Sequence, residues 1–93
     1  MLLDWSEAAL RDREDIFRYI AIEGGSPDAG LRIDDLIYQQ VQRLKTFPYS
    51  GRSGRIDGTR EIIIGSTPYL AVYKVDDDRV LILRVLHGAR EWP

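Results

Sequence analysis

The spacing of apolar residues changes character twice along this chain. Leu2-Leu3-Asp4-Trp5 reads as a short extended opening. Ser6 is placed to cap a helix, and Glu7 suits its first turn. Ala9, Ile16, Phe17 and Ile20 then fall on one helical stripe. Arg13 interrupts that stripe; its stem can follow the core edge while its head reaches water. The pattern predicts a helix ending near Glu23, at Gly24-Gly25. Ser26-Pro27-Asp28 restarts a helix, with serine as cap and proline in the first turn. Ala29, Ile33, Leu36, Ile37, Val41 and Leu44 carry it forward until Pro48 stops it. The short glycine link makes the two helices an antiparallel hairpin.

After Pro48 the period shortens. Residues 48–55 form a loop rich in glycine and serine. Strands are predicted over Glu61–Ile64, Tyr69–Val75 and Arg79–Leu86, with Ile56-Asp57 as a short addition. Gly65-Ser66-Thr67-Pro68 and Asp76-Asp77-Asp78 supply the turns. The last strand is apolar almost throughout, which predicts a central place with both faces covered. The order strand, helix, helix, then strands defines an α+β domain. An N-terminal strand and a helical hairpin pack on a small, twisted, mainly antiparallel sheet, leaving the other face open for function. Residues 1–93 are expected to form a single domain.

Composition narrows the chemistry. There is no cysteine and one histidine, so disulfides, thiolate catalysis and Cys- or His-rich metal sites are excluded. No motif calls for a cofactor or a metal; Asp76-Asp77-Asp78 lacks the spaced ligands of a calcium loop. Asp4 follows Met1-Leu2-Leu3 at once, and no run approaches a membrane span, so a cytoplasmic protein without a membrane partner is expected. The net charge of −2 hides a split: residues 1–42 hold four arginines against nine carboxylates, and residues 43–93 hold nine cations against six. The second half is thus mildly basic, too weakly so to imply nucleic-acid binding by charge alone.

Several residues, in this order, carry a resemblance: Trp5-Ser6, Ile16 to Tyr19-Ile20, Leu44, Phe47-Pro48, Gly51-Arg52 and Gly58-Thr59-Arg60-Glu61. Tyr69, Val72-Tyr73-Lys74-Val75 and Arg84-Val85-Leu86-His87-Gly88-Ala89-Arg90 complete it. Over nearly its whole length the chain resembles the RelE/ParE superfamily of bacterial toxins. The resemblance implies the toxin of a type II toxin–antitoxin module, held inactive in a hetero-oligomer by its cognate antitoxin. It also implies one of two targets. ParE-like members inhibit DNA gyrase, arrest growth and stabilise plasmids; RelE-like members cleave mRNA in the ribosome. A third outcome is an inactive remnant that only binds antitoxin. The antitoxin is expected to cover the hairpin or the open sheet face with an amphipathic or extended segment.

RNA cleavage needs a base, an acid and a cation for the phosphate. His87, Arg60 and Arg84 are the candidates, His87 as the proton carrier. His87 is otherwise a strand-end side chain hydrogen-bonded to its loop. Arg84, inside an apolar strand, needs a partner such as Glu61 or Asp57, or an exit to water. Arg60 is expected on the open face, where an anion or acidic segment could reach it. Arg52, Arg60, Arg90 and Trp92 are candidate contacts for a partner or target, and Trp92 either folds back on the core or anchors that partner. Tyr69 and Tyr73 share a face as packing residues, and Asp12, Glu14 and Asp15 are assigned to the exposed side of the first helix. Against the nuclease pattern, Leu70 stands where related nucleases carry arginine, and Ile62 replaces one of their paired lysines. The reading therefore leans toward the gyrase inhibitor and away from an enzyme.

Overall fold

A computed structural model describes residues 1–93. Strand β1 spans Leu2–Trp5, helix α1 Glu7–Arg18 and helix α2 Pro27–Gln42. The remaining strands are β2 Arg52–Ser53, β3 Arg60–Ile63, β4 Tyr69–Asp76 and β5 Arg79–His87. Both serine caps form: Ser6 Oγ accepts from the Ala9 N–H at 3.0 Å and Ser26 Oγ from the Ala29 N–H at 3.3 Å. α1 continues into a π-helical turn, Tyr19–Glu23, before Gly24 and Gly25 reverse the chain. Arg43–Lys45 ends the second helix as a 3₁₀ turn.

The sheet runs β1-β5-β4-β3-β2. β1 joins β5 in parallel, and the other neighbours are antiparallel. The middle strand is β4, whose first five residues are all buried; β5 lies beside it and alternates between buried and partly exposed positions. The near-continuous apolar run of β5 fits its place as an inner strand between β1 and β4, with apolar clusters on both faces, although the middle strand of the five is β4. The register jumps from Val72 opposite Arg84 to Tyr73 opposite Ile82, which leaves Leu83 unmatched at a bulge. The expected short strand at Ile56-Asp57 is a turn instead, and the added strand is Arg52–Ser53, two residues from the supposed loop.

The hairpin packs on one sheet face. Ala9, Ile37, Val41 and Leu44 meet Ile64, Tyr69, Ala71, Tyr73, Val80, Ile82 and Val85 there. Arg13 resolves the break in the helical stripe: its guanidinium makes a double hydrogen bond to Asp34, both arms at 3.0 Å, and lies 4.5 Å from the Trp5 ring centre. The two helices are thus joined by a half-buried ion pair stacked on an aromatic ring. The other sheet face is not open over β4 and β5. Leu70, Val72 and Leu86 form a second apolar cluster there, covered by Leu83 and Trp92. No helix is long and apolar enough to cross a membrane.

Candidate functional site

The geometry of β5 follows from an edge left unpaired. β1 pairs with β5 only from Arg79 to Ile82, so the next residues of β5 lack a strand on that side. The start of α1 takes its place. The Ser6 N–H donates to the Ile82 carbonyl and Ser6 Oγ to the Leu83 carbonyl, each at 2.9 Å. Asp12 Oδ2 then accepts from the Val85 N–H at 2.9 Å.

Asp12 also accepts a fork from Arg84, Nε to Oδ2 at 2.7 Å and Nη2 to Oδ1 at 2.9 Å. These hydrogen bonds raise Arg84 above the ordinary arginine pKa, against a smaller opposing effect of burial, and keep it charged. The partner is therefore neither Glu61 nor Asp57, and Asp12 is not on the exposed side of its helix; its side chain is 12% accessible. Sequence reasoning missed Asp12. The available signal was its place between Ala9 and Ile16 on the inward stripe, together with an arginine needing a partner.

Glu61 serves a different pair. It is 2% accessible and stands opposite Val72, on the face away from the helices. Arg52 Nη2 donates to it at 3.1 Å and the Arg55 N–H at 3.2 Å, with the Arg55 side chain at 3.6 Å. Arg55 Nη1 also donates to the Arg90 carbonyl at 3.0 Å, tying this loop to the chain end.

Arg60 stands opposite Tyr73, a core residue on the helix side, so it does not lie on the expected open face. Its Nη1 donates to the carbonyls of Gly51 at 2.9 Å and Tyr49 at 3.3 Å, and its guanidinium covers the Tyr49 ring. Tyr73 holds the same loop, donating to the Pro48 carbonyl at 2.8 Å and accepting from the Gly51 N–H at 2.9 Å. Only glycine fits this approach, since a Cβ at Gly51 would sit 2.5 Å from the Tyr73 hydroxyl. Arg60 thus braces a loop.

His87 stands opposite Tyr69, with its ring edge-on to the tyrosine at 5.7 Å between centres. Its Nδ1 accepts from the Ala89 N–H at 3.1 Å, which places the ring proton of the neutral form on Nε2. His87 is exposed on the wall of a groove of about 320 Å³ between the end of α1 and the end of β5, with Tyr19, Tyr69 and Arg90 around it. Burial, with Tyr19 nearby, pushes the Tyr69 phenol above its usual pKa, so it remains protonated at neutral pH and is no base.

The three candidate nuclease residues do not converge. His87 and Arg60 stand opposite the two ends of the Tyr69–Tyr73 segment, about 13 Å of strand rise apart and on opposite sides of β4. Of the candidate partner contacts, Arg52 and Arg90 are exposed and Trp92 is folded onto the second cluster, with Arg84 5.2 Å above its ring. No three His, Cys, Asp or Glu side chains group closely enough to hold a metal.

Two helices on a five-stranded mixed sheet of this order define the RelE/ParE toxin fold. Among solved structures, the chain is similar to the "Chromosomal ParDE TA system from P. aeruginosa", at a TM-score of 0.80 and 26% identity over 91% of this chain and 92% of that one. It shares the fold of a chain in the "Crystal structure of the intact E. coli RelBE toxin-antitoxin complex", at a TM-score of 0.70 and 18% identity over 96% of this chain and 98% of that one. A protein of Sinorhizobium fredii (strain NBRC 101917 / NGR234) named "Putative toxin Y4kP" is 40% identical over 89 residues, which is 96% of this chain and 90% of the relative. The model of the family described as "ParE toxin of type II toxin-antitoxin system, parDE" matches residues 3–92. The chain belongs to the ParE toxin family.

Proposed function

We propose that this toxin is neutralised by a cognate antitoxin and arrests growth by binding DNA gyrase, through protein contacts and without chemistry of its own. The environment of Leu70 carries this reading. Leu70 occupies the position that the resemblance gives to a catalytic arginine, and it is 3% accessible, in an apolar cluster beneath Trp92. A phosphate cannot be held there. The state of the other cations supports the same conclusion: Arg84 is neutralised by Asp12, and Arg60 is spent on loop carbonyls. Purified toxin is expected to inhibit supercoiling by gyrase, with activity restored when antitoxin is added. Full supercoiling at excess toxin would sink the proposal.

One observation favours the second reading, a ribosome-dependent mRNA endonuclease. His87 is exposed beside Arg90 in a groove, so a proton carrier and a cation share one wall. On that reading His87→Ala abolishes toxicity and mRNA cleavage. Under gyrase inhibition His87→Ala leaves supercoiling inhibition within about twofold, as expected of an exposed side chain outside a binding hot spot.

A further inference from the structure

The chain beyond β5 is fastened lightly. The Gly88 N–H donates to the Pro68 carbonyl at 2.7 Å and the Arg90 N–H to the His87 carbonyl at 3.0 Å. Arg55 reaches the Arg90 carbonyl in an exposed contact. From Glu91 to Pro93 the main chain makes no hydrogen bond. Trp92 is held by apolar contact with the cluster of Leu70, Val72 and Leu86 and by the Arg84 guanidinium over its ring. Its indole N–H is buried and unpartnered. Burying a donor without an acceptor opposes closure, so the ring lies over the cluster with little margin.

One of these few fastenings can be switched by a proton. His87 Nδ1 accepts from the Ala89 N–H, two residues on, and this bond needs the neutral ring. Protonation puts a hydrogen on Nδ1, so a donor then faces a donor at the base of the tail. The ring is exposed, and protons reach it freely. Imidazole ordinarily titrates at about pH 6.5, close to neutrality. The ionisable groups facing it are Asp12 and Asp15 from α1, Tyr19 from the π turn, Tyr69 from β4 and Arg90 from the tail. Asp12 is committed to Arg84 and Val85, and phenols carry no charge near neutral pH. Asp15 and Arg90 remain, opposite in sign on the same groove, so no single neighbour imposes the charge state of His87.

We propose that the tail from Gly88 onward is a proton-operated latch. Neutral His87 holds it closed, with Trp92 over Leu70, Val72 and Leu86. Protonated His87 releases it, which uncovers that apolar strip and frees the indole. The sign follows from the bond. The closed tail needs the unprotonated ring, so the open tail binds the extra proton and falling pH favours opening. Closure is strongest above the ordinary histidine range and weakens as pH falls through it. The device is independent of whether the toxin acts on gyrase or on mRNA.

The test follows the full-length toxin by NMR between about pH 8 and about pH 5, a window that spans histidine titration. His87 is the single histidine, so its ring signal reports its charge without ambiguity. The buried Trp92 indole N–H reports the latch, through its exchange rate relative to a free indole at the same pH. Its protection is expected to fall about three- to tenfold in step with the His87 titration, the shift that one hydrogen bond supports. The amide of Tyr73, fully buried under the hairpin, should keep its protection, which separates tail opening from global unfolding. His87→Asn keeps an acceptor for the N–H two residues on and does not titrate, so its tail should stay closed across the range. His87→Ala removes the acceptor and should show the acid level of protection already at about pH 8. Should His87→Asn open the tail at every pH, the wild-type titration and His87→Ala carry the test. Indole protection that ignores the His87 titration overturns the latch. So does a His87 ring that stays neutral down to about pH 5. A His87→Asn tail that opens in acid as the wild type does, or a His87→Ala tail as well protected as the wild type at about pH 8, overturns it equally.

Discussion

The two faces of the sheet are covered by different means. On one, eleven buried residues from the helices and strands form a continuous core under the hairpin. On the other, three buried residues are shielded by Leu83 and by Trp92 from an irregular chain end. The first cover is made of regular elements that bring their own hydrogen bonds. The second is a few residues pinned by the Arg55 contact to the Arg90 carbonyl and by Arg84 on the Trp92 ring. Cooperative stability should therefore reside under the hairpin, while the tail opens locally at lower cost.

The strongest way to break this contrast is to weaken the hairpin side. Ile82 is fully buried there. Ile82→Ala is expected to cost about 3–5 kcal/mol in urea denaturation, because strands on both sides prevent collapse of the cavity. A cost under about 1 kcal/mol would remove the distinction between the faces, since surface changes reach that size. Next is Asp12→Asn, which keeps the shape but strips the charge from the clamp on Arg84 and Val85. The expected loss is about 1.5–3 kcal/mol, the range for hydrogen bonds to charged groups. Because the clamp joins α1 to the unpaired edge of β5, amide exchange should speed first at Val85.

A pH test sharpens the same point. Burial holds the Tyr73 phenol above its usual pKa, more than offsetting the Gly51 N–H and the nearby Arg60 charge, which lower it. Above about pH 10 the unfolded chain loses this proton while the folded chain keeps it. The folded state then binds more protons, so stability must fall as pH rises toward the folded pKa. Tyr69 acts in the same direction. Tyr73→Phe should lower stability at pH 8 by about 1–2 kcal/mol, since the Gly51 N–H loses its acceptor. It should also flatten the decline above pH 10. An unchanged alkaline slope would show that other groups set it.

Much of this architecture was readable from local chemistry. Both serine caps, the helical stripes and the turn at Asp77, which takes a φ of 37°, follow from rules acting within a few residues. What was not readable depends on residues far apart in the chain. Asp12 and Arg84 are 72 positions apart, and only the parallel placement of β1 beside β5 brings them together. Arg60 faces the helix side because the register sets it opposite Tyr73, and alternation within a strand cannot say which face is which. The Arg52–Ser53 strand has no apolar pattern at all; it forms because Arg52 can reach the buried Glu61.

The smaller effects belong to the tail face. Trp92→Ala is expected to cost only about 1 kcal/mol of global stability, well below the 3–5 of a large core aromatic, because a chain end can resettle over the gap. Its clearer sign should be binding of a hydrophobic dye at Leu70, Val72 and Leu86. Smaller still is Arg52→Ala. The Arg52 side chain is 56% accessible while the Glu61 carboxylate beneath it is 1% accessible. An exposed arginine loses most of its attraction to solvent screening, so the expected change is about 0–1 kcal/mol. Glu61 is not stranded, because the Arg55 N–H and side chain still reach it. Removing Arg52 and Arg55 together should therefore cost more than the two single losses added, since only the double variant leaves a buried carboxylate without a cation. Simple additivity in the double-mutant cycle would mean that Arg52 and Arg55 do not share that carboxylate, and that the Arg55 link to the chain end holds the tail face independently of Glu61.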